Sequence, residues 1–150
     1  MITLKPAFEA TMEVGTVQDV GVTSKGIRRM IPIVGGTFVG QEISGVILPG
    51  GADWQLVRPD GVAEIEAHYT MKTDDGVIIY IVNKGYRHGP TDVIEKLAQG
   101  EEVSPDQYYF RSSPTFEVEK GKYDWLTKSI FVGTGARQKD LVSFKFYVCE

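Results

Sequence analysis

The chain has 150 residues, is 42% apolar and carries 16 Lys and Arg against 20 Asp and Glu, a net charge of −4. This is enough for one domain with its own core over residues 1–150, and with no basic run longer than Arg28-Arg29 it argues against a nucleic-acid partner. No stretch approaches the roughly 18 apolar residues that span a bilayer, residues 1–6 lack a signal-peptide pattern, and Cys149 alone can form neither an intrachain disulfide nor a thiolate metal cluster; a soluble, cytoplasmic protein without a membrane partner is expected.

Seventeen glycines and seven prolines punctuate short runs of Val, Ile, Thr, Tyr and Phe, the pattern of an all-β chain. Phe8, Ala10, Met12 and Val14 alternate with polar residues and predict a half-exposed first strand. Residues 15–26 read as a loop or irregular edge leading into a strand at 27–33, and Gly35-Gly36 reads as a turn. Residues 37–48 form the next predicted strand, interrupted by Gly40 and Gly45, where bulges or bends are expected. Pro49-Gly50-Gly51 then turns the chain into a strand at 52–58, and Asp60-Gly61 turns it again.

Residues 62–70 alternate most clearly, with Ala63, Ile65, Ala67 and Tyr69 on an apolar face and Glu64, Glu66, His68 and Thr70 on the other. Residues 77–83 form an apolar run in which Asn83 shares a face with Val77, Ile79 and Ile81, and residues 84–89, with His88, read as a turn. Pro90 near the start and Gly100 past the end bracket Val93, Ile94, Leu97 and Ala98 as the one α-helix. Residues 107–119 and 124–133 resume strand character, the Gly133–Arg137 segment reads as a loop, and Val142, Phe144, Phe146 and Val148 alternate in the last strand. Closing so many sequential strands into an antiparallel β-barrel of about eight to ten strands, with one short α-helix, removes their free edges.

Within this pattern the strand at 52–58 mixes polar and apolar groups on both faces, which a ligand-holding barrel tolerates better than a filled one. Asp53 either caps the glycine turn or faces a cavity, where loss of solvent would raise its pKa. A second concentration runs from Tyr108-Tyr109-Phe110-Arg111 through Phe116-Glu117 to Trp125; an inward Arg111 would require a partner, Asp53 first and Glu117 second, while an outward one would lie over the barrel wall. Tyr69, on the apolar face, calls for a hydrogen-bond partner inside. The two histidines lack metal-ligand spacing, Gly133–Arg137 opens no helix as a phosphate loop would, and no nucleophile elbow is present. Neither a cofactor nor a metal is expected.

At these residues the chain resembles a family of small bacterial and fungal proteins catalogued as a domain of unknown function and described as calycin-like barrels. The resemblance runs through Gly26-Ile27-Arg28-Arg29, Leu48-Pro49-Gly50-Gly51-Ala52-Asp53-Trp54-Gln55, Asn83-Lys84-Gly85 with Arg87-His88-Gly89-Pro90, Tyr108-Tyr109-Phe110-Arg111, Phe116-Glu117, Trp125-Leu126, and Val132-Gly133 with Gly135 and Arg137. It implies a barrel with an internal cavity at one end, and it admits cofactor-independent cyclase activity of the kind associated with some fungal relatives. The expectation is a small, partly apolar, oxygenated ligand undergoing acid–base cyclisation, isomerisation or hydration, with Asp53, Tyr69 and Arg111 in the chemistry and Arg28, Trp54, Gln55, Asn83, Tyr109, Phe116 and Trp125 around the ligand. The alternative is a non-catalytic binding or carrier barrel with the same pocket, in either case as a monomer or a homodimer.

Overall fold

A computed structural model describes residues 1–150. Ten strands run in chain order: β1 (Leu4–Val14), β2 (Gln18–Thr23), β3 (Gly26–Gly40), β4 (Ser44–Ile47), β5 (Gly51–Val57), β6 (Ala63–Thr73), β7 (Ile78–His88), β8 (Tyr109–Val118), β9 (Phe131–Arg137) and β10 (Leu141–Cys149). Helix α1 (Thr91–Ala98) lies between β7 and β8. All pairings are antiparallel, and β1 pairs with both β10 and β3, which closes the sheet. The barrel wall therefore has eight positions, with β5 and β4 sharing one of them between β3 and β6.

The inner face follows the two-residue period. Phe8, Ala10 and Met12 of β1, Ala63, Ile65, Ala67, Tyr69 and Met71 of β6, Ile79 and Ile81 of β7, and Phe144 and Phe146 of β10 are buried together. Phenylalanine rings fill the deep part, with Phe8 at 5.0 Å from Phe146 and Phe116 at 5.0 Å from Phe131. Room for them comes from glycine: a Cβ at Gly135 would stand 2.7 Å from the Phe110 ring, and one at Gly133 2.8 Å from that of Phe146. Gly133 and Gly135 therefore belong to strand β9, not to a loop, because aromatic rings from neighbouring strands occupy the space of their missing side chains.

Other boundaries also move from their expected places. Residues 18–23 are a strand, hairpinned onto the start of β3. Gly35-Gly36 is no turn: β3 runs through it, pairing with β5 before the bend and with β1 and β4 after it. Gly36 takes φ 147° and lies against Thr11 and Met12 of β1, a close approach that leaves no space for a side chain. Residues 84–88 continue β7, and Asp124–Thr127 is a 3-10 turn, with β9 starting only at Phe131. Helix α1 matches its expected place, following Pro90 and buried through Val93 and Leu97. No helix is long and apolar enough to cross a membrane.

Candidate functional site

One end of the barrel is polar. Register explains how: Ile31 of β3 faces Asp53 of β5, Asp53 faces Ala67 of β6, and Ala67 faces Asn83 of β7, which puts the carboxyl and the amide in one row on the inner face. Only the methyl group of Ala67 separates them, so a gap opens above it. That gap is an inner cavity of about 30 Å³, lined by Asp53, Asn83, Arg87, Arg137, Ile31, Ile33 and aromatic and aliphatic neighbours. It has room for about two water molecules.

The next row outward is basic. Arg29 faces Gln55, Ala63 faces Arg87, and Arg137 ends β9 opposite Val142. These three arginines and Lys139 line an open mouth of about 270 Å³, whose apolar flank is Val57 with Ile94, Leu97 and Ala98 of α1. Arg87 and Arg137 line both the mouth and the inner cavity, so the two spaces adjoin.

A hydrogen-bonded chain connects the rows. Arg29 Nη2 donates to Gln55 Oε1 at 3.0 Å, and Gln55 Nε2 donates to Asp53 Oδ2 at 3.4 Å. Asp53 Oδ1 accepts the backbone N–H of Glu66 at 3.0 Å. Gln55 is wholly buried, and its amide orientation follows from having an arginine on one side and a carboxyl on the other. Asn83 is also wholly buried, yet neither amide atom has a protein partner.

Burial raises the Asp53 carboxyl from 3.8 to about 6, outweighing the Glu66 N–H, the charges of Arg87 and Arg137 and the Gln55 amide, all of which favour the ionised form. Arg87 is brought down to about 10, first by burial and then by the like charge of Arg137, with Asp53 opposing. Burial and the charge of Arg29 lower Arg137 too. A carboxyl titrating near neutrality beside a hydrogen-bonded amide can both take and return a proton at ordinary pH.

The expected site residues divide. Asp53, Gln55 and Asn83 stand together at this end of the barrel. Trp54 points outward, 48% exposed, and lines an external groove with Arg28, whose Nη1 donates to the Trp54 carbonyl at 2.8 Å. Arg111 is exposed as well, its guanidinium 5.7 Å from the ring of the half-exposed Tyr109, so it is no partner of Asp53. Arg28, expected beside the ligand, and Arg111, expected in its chemistry, thus lie on the outer face, and Arg29, Arg87 and Arg137 face the pocket instead. Tyr69 is buried one row deeper than Asp53, beside Gly51, and its hydroxyl has no partner, contrary to expectation. Desolvation alone drives its pKa up. Phe116 belongs to the deep core and Trp125 to the opposite end, packed near Phe131. His68 lies on the outer face between Tyr80 and Glu66, and His88, in β7, stacks on Tyr109.

The fold and site can be set beside known proteins. Residues 2–149 match the family model described as "Protein of unknown function (DUF3237)". A UPF0311 protein of Rhodopseudomonas palustris is 45% identical over 138 residues, covering 92% of this chain and 90% of the relative. The crystal structure of the conserved protein of unknown function RPA1785 from Rhodopseudomonas palustris superposes with TM-score 0.95 at 41% identity, covering 100% of this chain and 98% of the other. A beta-barrel like protein from Acinetobacter baumannii gives TM-score 0.88 at 41% identity, over 100% and 97% of the two chains. An enzyme from Penicillium herquei shares the fold at TM-score 0.72 and 19% identity, over 98% and 94%. On the match over nearly its whole length, the chain belongs to the family of proteins of unknown function designated DUF3237.

Proposed function

We propose that the polar end of the barrel binds a small, partly apolar, oxygenated molecule and performs cofactor-independent acid–base chemistry on it, with Asp53 as the proton-transfer group. The observation that carries this reading is a carboxyl raised to about 6 that faces a cavity shared with an unpartnered, wholly buried amide, Asn83. In its ionised form Asp53 removes a proton from a carbon or hydroxyl of the ligand; in its acid form it returns that proton at another position. Isomerisation, intramolecular addition with ring closure and hydration all fit this sequence, and none requires an electron acceptor. Asn83 can donate to the oxygen on which negative charge develops, and Gln55 positions the carboxyl.

The test begins with thermal-shift screening of phenolic, lactone and enone compounds, since a ligand specific to the native state raises its apparent stability. Compounds that bind are then incubated in D2O and followed by proton NMR. The wild type exchanges deuterium into the ligand or converts it, and Asp53→Asn does neither while still binding. Equal exchange by both proteins removes Asp53 from the role.

The inner cavity measures about 30 Å³ against about 270 Å³ for the mouth, and a ligand that stays in the mouth leaves Asp53 idle; this favours a second reading, a binding or carrier barrel that performs no reaction. Ligands that bind at the same end and remain unchanged and unexchanged in the wild type would establish it.

A further inference from the structure

Arg29, Arg87 and Arg137 converge on one mouth, and none of them is in an ion pair: the five salt bridges of the protein belong to Arg58, His68, Lys84 and Lys122. Lys139 adds a fourth cation at the rim. Against these four cations stand two carboxylates: Asp53 inside, which reaches Arg29 only through the Gln55 amide, and the exposed Asp140 of the β9–β10 turn, whose charge acts on Arg137. Arg29 also keeps a buried Nε without an acceptor. The Arg87 guanidinium lies 5.4 Å from the Phe110 ring centroid, a contact that holds its plane without neutralising it. Like charges concentrated under partial burial destabilise a fold unless something of opposite sign is brought to them.

From this imbalance we infer that the mouth is an anion subsite and that the molecule entering the barrel is an organic carboxylate, its carboxylate held by Arg87 and Arg137 with Arg29 behind them. This rests on the reading of the barrel end as a binding pocket and narrows its ligand class. Planar guanidinium groups suit a carboxylate because each can give two parallel N–H donors to its two oxygens. The apolar flank of Val57, Ile94, Leu97 and Ala98 suits the carbon body of such an acid, and a bare inorganic anion would leave that flank uncovered. With the carboxylate at the arginines, the adjoining part of the ligand reaches the inner cavity and Asp53.

Benzoate, phenylacetate and cyclohexanecarboxylate, each beside its neutral amide, serve as probes in calorimetric titrations of wild type, Arg137→Gln and Asp53→Asn at low salt and pH 7.5, with inorganic phosphate as a competitor. In the wild type at least one carboxylate binds about tenfold or more tightly than its amide, the ratio expected for one charge-assisted contact. Arg137→Gln removes most of that preference, and Asp53→Asn preserves it or raises it, because the ionised Asp53 no longer competes for the arginines. A second readout needs no ligand: Arg137→Gln raises the melting temperature of the free protein, because it relieves repulsion, and lowers the upward shift that the carboxylates produce. The inference is overturned by carboxylates that bind no better than their amides, or not at all, across the three pairs. Phosphate displacing the carboxylates at equal concentration overturns the carboxylate assignment, and a fall in melting temperature for free Arg137→Gln identifies a structural arginine. Failure of the Asp53 chemistry has a different signature, carboxylate preference intact with proton exchange unaffected by Asp53→Asn.

Discussion

Replacing Asp53 by Asn should stabilise the protein at neutral pH while disabling its site. Raising the carboxyl from 3.8 to about 6 means that its ionised form costs about 3 kcal/mol in the fold above pH 7, at 1.36 kcal/mol per pH unit. Between those two values the folded protein holds a proton that the unfolded chain has released, so this contribution to stability falls as pH rises through that window and is fully lost above it. Asn cannot ionise, and its oxygen still accepts the Glu66 N–H; its NH2 opposes the Gln55 NH2 across the present 3.4 Å contact, which returns about 1 kcal/mol. The net gain is about 2 kcal/mol at pH 8, a rise in melting temperature of roughly 4–8 °C for a domain of this size. At pH 4.5, where the wild-type carboxyl is itself protonated, the advantage disappears. Urea unfolding of both proteins at pH 4.5, 6 and 8 measures the difference directly, because all other titrating groups cancel between them. A variant less stable than the wild type by 3 kcal/mol or more at pH 8 would refute the reasoning, since it would show a carboxylate held in a favourable buried ion pair with Arg87 or Arg137.

Other substitutions probe the same account. Tyr69→Phe removes a buried hydroxyl without a partner and should stabilise by about 1–2 kcal/mol in urea unfolding; a loss of stability would mean that the hydroxyl is bonded in solution. Gly135→Ala forces a methyl group to within 2.7 Å of the Phe110 ring and should cost about 2–3 kcal/mol, with an unchanged midpoint refuting the tight packing of β9. Asp75 accepts hydrogen bonds from Thr73 at 2.6 Å and Tyr123 at 2.7 Å, which bring its carboxyl down to about 2. Its contribution to stability is present above the unfolded-state value near 3.9 and fades as pH falls towards 2. Asp75→Asn should therefore lower the melting temperature at pH 7 and converge with the wild type at the acid end, and an equal difference at both pH values would contradict this.

The barrel was legible because most strands carry a clean two-residue alternation: Ala63, Ile65, Ala67 and Tyr69 face inward as their sequence says. The same parity reaches the three pocket arginines. Arg29 precedes Ile31 and Ile33 by even steps, Arg87 follows Ile79, Ile81 and Asn83, and Arg137 follows Phe131, Gly133 and Gly135. Glycine hid two of them, Arg87 and Arg137, while Arg29 stands beside Ile31 and Ile33 in the strand expected at 27–33. Gly85 and Gly89 make residues 84–89 look like a turn, and Gly133 and Gly135 make the end of β9 look like a loop, whereas these glycines accept groups from adjacent strands. That reason is tertiary and leaves no local trace. Arg111 drew attention through its aromatic neighbours and Arg28 through the Gly26-Ile27-Arg28-Arg29 resemblance, but β7–β8 register pairs Arg111 with the outward Tyr86 and Arg28 reaches the backbone of the exposed Trp54. Two-residue alternation puts Asp53 and Trp54 on opposite faces, so they cannot both line one pocket, and the cross-strand partners Ile31 and Ala67 assign the inner face to Asp53.

The most direct measurement is a carbon-detected NMR titration of the Asp53 side-chain carboxyl in the free protein, assigned by its absence in Asp53→Asn. A carboxyl poised for proton transfer in a desolvated barrel end titrates with a midpoint near 6. A midpoint at or below the ordinary aspartate value of about 3.9 would contradict it, leaving an ionised group that neither needs nor returns a proton near neutral pH.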